Sequence, residues 1–373
     1  MPDFPTAEFE ARLARAQKEM TAAGLDALFL TTESELRWFT GFRTLFWQSP
    51  TRPWFLVVPR VGEPVAIIPE IGAALMAATW VADIRIWSSP HPTDDGVTLV
   101  CEALAGFDQV GTPMGPEASL RMPLADFQRL GAAFEDASPL MKRLRMLKSA
   151  AEVEKIARIC AIGSAGFARA PDLFRAGQTM RDAFAAFRIA LIEEGADDVP
   201  YLVGGKGPDG YADVISPPSD EALREGDVLM LDTGATRDGY FCDFDRNFAI
   251  GRASDAARTG YAALWLATEA GLAAARPGAT CADLWRAMHG AMGGGDGSGD
   301  VGRYGHGLGM QLTEQPSIAP FDETFLEPGM VMTLEPSIAT ADGRMLVQEE
   351  NIVITEDAPR VLTTRAAPEL PVI

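Results

Sequence analysis

The stretch LMLDTGATRDGYFCDFDRNF, residues 229–248, constrains this chain more than any other segment. Two apolar runs flank Asp238-Gly239, a strong tight-turn signal, so the segment reads as a β-hairpin. With Arg237-Asp238 as the loop, Asp232 faces Asp243; with Asp238-Gly239, it faces Asp245. Side chains alternate across a strand, so both registers put Asp232, Asp243 and Asp245 on one face. Directly opposed Cβ atoms lie about 4.5–5.5 Å apart. Carboxylates that close repel, and burying them without a counter-ion is costly. A cation removes the conflict. The competing reading is a solvated acidic hairpin with Arg246 as partner, and the apolar flanks argue against it.

Three further segments carry groups of the same kind. His306 sits in GHGLG, where glycines leave the imidazole uncrowded and let backbone or ligand approach closely. Glu335 closes an apolar strand, VMTLEP, where an ionisable group is unusual without a partner. Glu349 and Glu350 open the strand EENIVIT. Alternation lets only one of them face a site also lined by Glu335, and spacing alone leaves open which. Four carboxylates and one imidazole suit a pair of divalent cations. Two adjacent cations can share one water and make hydroxide at neutral pH. The chain therefore reads as a dinuclear metallohydrolase. His289, on an amphipathic helix, reads as a surface or capping group, and His91, between prolines, as a loop residue.

Length and composition fix the setting. At 373 residues the chain is long enough for two domains. A net charge of −20 argues against nucleic acid, which needs basic patches. No run approaches the roughly 18 apolar residues of a membrane span. The N-terminal FPTAEFEARLARAQKEM lacks the apolar core of a signal peptide. Cys101, Cys160, Cys242 and Cys281 form no CxxC pair and fit a reducing, cytoplasmic setting.

The pattern predicts a helix over 7–23, strands in LDALFLTT, Trp54–Val58 and Pro64–Ile68, and helical stretches near 70–80 and 117–135. This is an α/β domain over residues 1–145. In the second domain, 146–373, helices are predicted over Met141–Cys160, 180–195, 255–276 and 281–292. Strands are predicted at 227–234, 240–250, 330–335 and 345–355. GGGDGSGD, 293–300, reads as a loop, since no GK[ST] follows it. No repeat of 20–50 residues is evident.

At LDTGATRDGYFCDFDR, GHGLGMQLTEQP, LEPGMVMTLEPSI and VQEENIVIT the chain resembles the pita-bread metallopeptidase family, which includes Xaa-Pro aminopeptidase, prolidase, methionine aminopeptidase and creatinase. LRMLKSAAEVEKI resembles the helix that opens the catalytic domain, and LRWFTGF a segment of the creatinase-like N-terminal domain. The resemblance implies an α/β (α+β) chain whose C-terminal pita-bread domain has two halves related by pseudo-two-fold symmetry. It implies Asp232 on one metal, His306 and Glu335 on the other, and Asp243 and Glu349 as bridges, which selects Glu349 over Glu350. The cofactors would be two divalent ions: manganese, cobalt, zinc or iron. A bridging hydroxide would attack the carbonyl of an amide in a short peptide or peptide-like small molecule, with Glu335 passing the proton.

The chain departs from that family at the substrate side. The peptidases have a second histidine in His-Glu-x-Pro; here TEQP places Thr313. They have another before Pro-Thr/Ser-Asp; here VISPPSD places Ile215. An arginine two residues before the last glutamate reads Val347, and Asp-x-Thr-Arg reads Asp243-Phe244-Asp245-Arg246. Asp245 is then an extra ligand, an anchor behind the ligands, or a base. Tyr211 joins Asp245, Thr313 and Ile215 as candidates behind the ligands or on the substrate wall. The missing imidazoles keep a second class in view, a creatinase-like amidinohydrolase or a dimethylsulfoniopropionate-type lyase. A binding module that kept the fold and lost catalysis is a third. In relatives the N-terminal domain of one subunit closes over its partner's site. The expected assembly is thus a homodimer in which Phe46, Trp47, Arg52 or His91 reaches across, or else these aromatics pack their own domain.

Overall fold

The computed structural model describes residues 4–49, 52–294, 302–340 and 343–373. The chain divides into two compact units, Met1–Arg145 and Met146–Ile373. Among the described residues, no helix is long and apolar enough to cross a membrane.

The first unit is built on a six-stranded mixed sheet. Its spatial order is Asp83–Trp87, Val65–Pro69, Phe55–Pro59, Ala27–Leu30, Val110–Thr112 and Phe134–Asp136. Ala27–Leu30 is buried on both faces, as its unbroken apolar run requires. Phe29, Phe55, Val57 and Ile67 pack with Trp87, Val100 and Leu104 into one core. The helix Thr6–Ala23 buries Phe9, Leu13, Ala16 and Met20 and stops at Gly24, whose φ of 71° suits glycine. The helical reading near 70–80 shrinks to Glu70–Gly72 and Ala73–Met76, and that over 117–135 to Leu124–Arg129. Proline at 123 and glycine at 131 bracket the latter.

The second unit repeats one design twice. Gly177 and Gly278 have φ of 83° and 88°. Their N–H groups donate to Leu223 O at 2.8 Å and Leu326 O at 3.1 Å. Two residues on, Thr179 caps the helix Met180–Glu193 by accepting from Asp182 N, and Thr280 caps Cys281–Ala291 by accepting from Asp283 N. Each half then forms an antiparallel trio. Val228–Arg237 lies between Asp198–Gly207 and Phe244–Ala249; Val331–Leu334 lies between His306–Gly307 and Glu350–Val353. The middle strand of each trio follows a glycine with φ of 93°, Gly226 or Gly329. This is the pseudo-two-fold pattern that the resemblance implied.

The single helix expected over Met141–Cys160 is two. Ser138–Met146 ends, and Ala150–Ala168 begins on a capping box between Ser149 and Glu152. The strand expected at 240–250 is interrupted at Cys242 and Asp243, and that at 345–355 at Gln348 and Glu349. The glycine-rich loop lies, from residue 295 on, outside the described residues.

Candidate metal centre

The hairpin turns at Asp238-Gly239. Both residues have positive φ, 49° and 67°, as a type I′ loop requires. Asp245 therefore pairs directly with Asp232. Asp243 falls where the strand is interrupted, and Asn351 holds its backbone there. Asp243 N donates to Asn351 Oδ1 at 3.0 Å, and Asn351 Nδ2 donates back to the Asp243 carbonyl.

His306 enters from the other half. Its N–H donates to Thr333 Oγ1 at 3.1 Å. Its Nδ1 lies 2.9 Å from the Gly307 carbonyl, which can only accept, so Nδ1 carries the proton. That leaves the Nε2 lone pair directed inward, 3.4 Å from Asp243 Oδ2. The flanking glycines are required by close backbone approach. A Cβ on Gly305, whose φ is 134°, would meet the Thr333 carbonyl, and one on Gly307 would meet that of Gln315.

The strand Glu350–Val353 resolves the choice between neighbouring glutamates. Glu350, fully buried, accepts from Arg246 Nη2 and Arg365 Nη1, both at 2.9 Å, and from Thr363. Burial would raise its carboxyl, but Arg246 and Arg365 hold it below the usual range. Glu349 points the other way. One donor atom each from Asp243, His306 and Glu349 lie within 4.8 Å of one another. Arg246 thus belongs to Glu350 and to the Asp245, Glu349 and Thr364 carbonyls, rather than to the hairpin aspartates.

Asp232 and Glu335 border this trio. Burial drives all of these carboxyls upward, and their mutual repulsion adds to it: Asp243 acts on Asp232, Glu335 on Asp243, and Glu335 with Asp243 on Glu349. Glu335 is pushed up to about 7 by burial, with His306 and Arg303 pulling down and Asp232 pushing further up. Asp232 Oδ1, Glu349 Oε1 and both Asp245 oxygens are buried without a hydrogen-bond partner. Buried polar atoms are normally paired, and a set of unpaired anionic oxygens around one imidazole lone pair fits divalent cations.

The sequence of metallopeptidase family M24 is matched by residues 154–356, and that of the creatinase/prolidase N-terminal domain by residues 12–147. The chain belongs to metallopeptidase family M24. A probable dipeptidase PepE of Mycobacterium tuberculosis is 30% identical over 377 residues, covering 99% of this chain and 98% of its own. A Xaa-Pro dipeptidase of Pyrococcus furiosus is 29% identical over 239 residues, 62% of this chain and 66% of its own. The crystal structure of dipeptidase PepE from Mycobacterium ulcerans superposes with a TM-score of 0.86 at 31% identity, covering 99% of each chain. Membership of M24 brings with it divalent metal ions and peptide-bond hydrolysis.

The remaining candidates scatter. Tyr211 is fully buried; its hydroxyl donates to Asn247 Oδ1 at 3.2 Å and accepts from Val347 N at 2.6 Å, so it braces the strand that leads to Glu349. Thr313 is half-buried and accepts from Arg303 Nη2 at 3.5 Å. Ile215 stands 72% exposed on a turn closed by Asp213, with no contact to the acidic cluster among those described. His289 is a packing residue rather than a surface or capping group: its ring stacks on Trp285 at 4.4 Å, and Nδ1 meets Tyr304 Oη at 3.0 Å. His91 keeps its loop role, with Nδ1 accepting from Asp94 N at 3.0 Å.

Besides Asn351, two residues escaped the sequence reading. Tyr201 hydrogen-bonds Asp232. Burial holds its hydroxyl protonated, and so do Asp232, Asp243, Glu349 and Glu335 around it. Arg303 lies three residues before His306, and its charge acts on both Asp243 and Glu335.

Proposed function

We propose that this M24 chain is a manganese-type dinuclear dipeptidase acting on short peptides, with Asp232, Asp243, His306, Glu335 and Glu349 as the metal ligands and Asp243 and Glu349 as the bridges. The convergence of Asp243, His306 and Glu349 donors within 4.8 Å carries the reading. A donor set dominated by carboxylates favours manganese among the divalent ions. Two bound cations would polarise the scissile carbonyl and acidify the attacking water.

The chain's own groups supply the rest. Glu335 would accept the proton of the attacking water and hand it to the leaving amine. Tyr201, kept protonated, donates to Asp232 and fixes its orientation. Arg303, whose charge acts on Asp243 and Glu335, would receive a peptide carboxylate beside the cluster. Relatives named as dipeptidases support a peptide substrate over the amidinohydrolase and lyase alternatives.

The working form in this reading is a cytoplasmic homodimer. The four free cysteines support the compartment. Phe46, Arg52 and His91 remain the side chains to reach a partner's site. Trp47 instead packs at home, 2% exposed, 5.7 Å from Trp54 and under Arg121 at 5.4 Å. The deciding experiment is hydrolysis of a panel of Xaa-Pro and other dipeptides by manganese-loaded protein. Turnover is expected to vanish in Glu335→Gln with both metals retained; a wild type that takes up no metal, or cleaves none of the panel, rejects the reading.

A further inference from the structure

The five-residue ligand set leaves one acid unexplained. Asp245 is 1% exposed, and neither of its carboxylate oxygens has a hydrogen-bond partner. Its neighbour Arg246 cannot serve it, because alternation sends that guanidinium to the opposite face, onto Glu350 and three carbonyls. Stranding a carboxylate in this way costs several kcal/mol unless something positive or protic meets it, roughly the penalty measured for unpaired buried ions.

The register says what meets it. Asp245 pairs with Asp232 across the hairpin. Asp232 Oδ1 is likewise unpartnered. The other Asp232 partner is Tyr201, a neutral donor. Two opposed aspartates a cross-strand spacing apart, each with free oxygens, are a chelating pair for one hard cation.

Resting on the dinuclear reading above, we infer that Asp245 is a sixth protein ligand, binding the same cation as Asp232. The added anion raises affinity for that cation and biases it toward ions that accept many oxygen donors, such as manganese, over tetrahedral zinc.

Calorimetric titration of chelator-stripped protein with Mn²⁺ tests this, comparing wild type with the isosteric Asp245→Asn and the shorter Asp245→Ala. Wild type should bind two equivalents. Both variants should bind the first equivalent as wild type does and the second at least about tenfold more weakly, the loss typical when a partner of a metal site is removed. Cobalt-loaded protein gives the second readout. Its visible absorption depends on coordination number, so Asp245→Asn should intensify the bands as a ligand is lost. Unchanged affinities overturn the proposal. So does a weakened second site with an unchanged cobalt spectrum, which would make Asp245 a neighbouring charge only. Should Asp245→Ala not fold, Asp245→Asn decides alone. A wild type that binds no metal sinks the dinuclear reading itself, an outcome separable from failure of the Asp245 ligand in a protein that binds two.

Discussion

Asn351 clasps Asp243 with both ends of one amide, accepting from its N–H at 3.0 Å and donating to its carbonyl. The two residues lie in opposite halves of the second unit, 108 positions apart. Cys160 Sγ donates to the same Asn351 oxygen at 3.2 Å. The clasp fixes the backbone where the hairpin strand breaks, and so aims the carboxylate that lies 3.4 Å from His306 Nε2. Asn351→Ala should reduce kcat and metal affinity by about 10–100-fold. Stability should fall by about 1–3 kcal/mol, because two buried backbone groups lose their partner. Metal titration and denaturant unfolding check both; a loss of stability with unaltered metal binding would make the contact merely structural.

Metal removal should leave a protein whose stability depends on pH in an unusual direction. Asp232, Asp243, Asp245, Glu335 and Glu349 are all raised by burial and by one another. A carboxyl raised in the folded state favours folding most fully below its unfolded value, near 4.5 for Glu335, and loses that contribution as pH rises through about 7. The stripped protein should therefore melt at lower temperature at pH 8 than at pH 5. Saturating manganese should abolish the trend, with protons released on binding. Thermal scans with and without chelator across that range decide it.

Arg303→Ala should raise KM for dipeptides by about tenfold or more, the worth of a charge-assisted hydrogen bond. The effect should shrink when the peptide's carboxylate is blocked as an amide. An equal effect on acid and amide substrates would show that Arg303 acts on Asp243 and Glu335 rather than on substrate.

Glu350→Gln should destabilise the fold by about 3–5 kcal/mol, because Arg246 and Arg365 would lose a buried counter-ion. Metal stoichiometry should stay at the wild-type value, since Glu350 faces away from the cluster. Loss of metal at full stability would contradict that division of labour.

Much of the second unit could be read in the sequence because its strands alternate cleanly around charged positions. The aspartate hairpin was legible down to its two registers. Only the backbone at Asp238 and Gly239 chose between them, and φ is not written in a dipeptide that fits either loop. Glu349 and Glu350 were ambiguous for a similar reason: the arginines that claim Glu350 are distant in sequence. The duplication is present in RAGQTMRDAF and RPGATCADLW, but its copies lie about a hundred residues apart, and few positions match. Ser149-Ala-Ala-Glu152 announced a helix start inside the run that reads as one helix; strong helical charge patterning on both sides hid it. Tyr201 and Asn351 were invisible because each acts on a residue far along the chain.

The alternation of Glu349 and Glu350 turns strand alignment into a chemical selector. Slid by one residue, the same strand would turn Glu350 away from Arg246 and Arg365, leaving two buried guanidiniums without their counter-ion. The acid brought to the cluster would sit on a strand no longer held in place. Appetite for metal in this fold is set by hydrogen-bond phasing between strands, and a one-residue deletion upstream could silence it while leaving every acidic side chain in the chain.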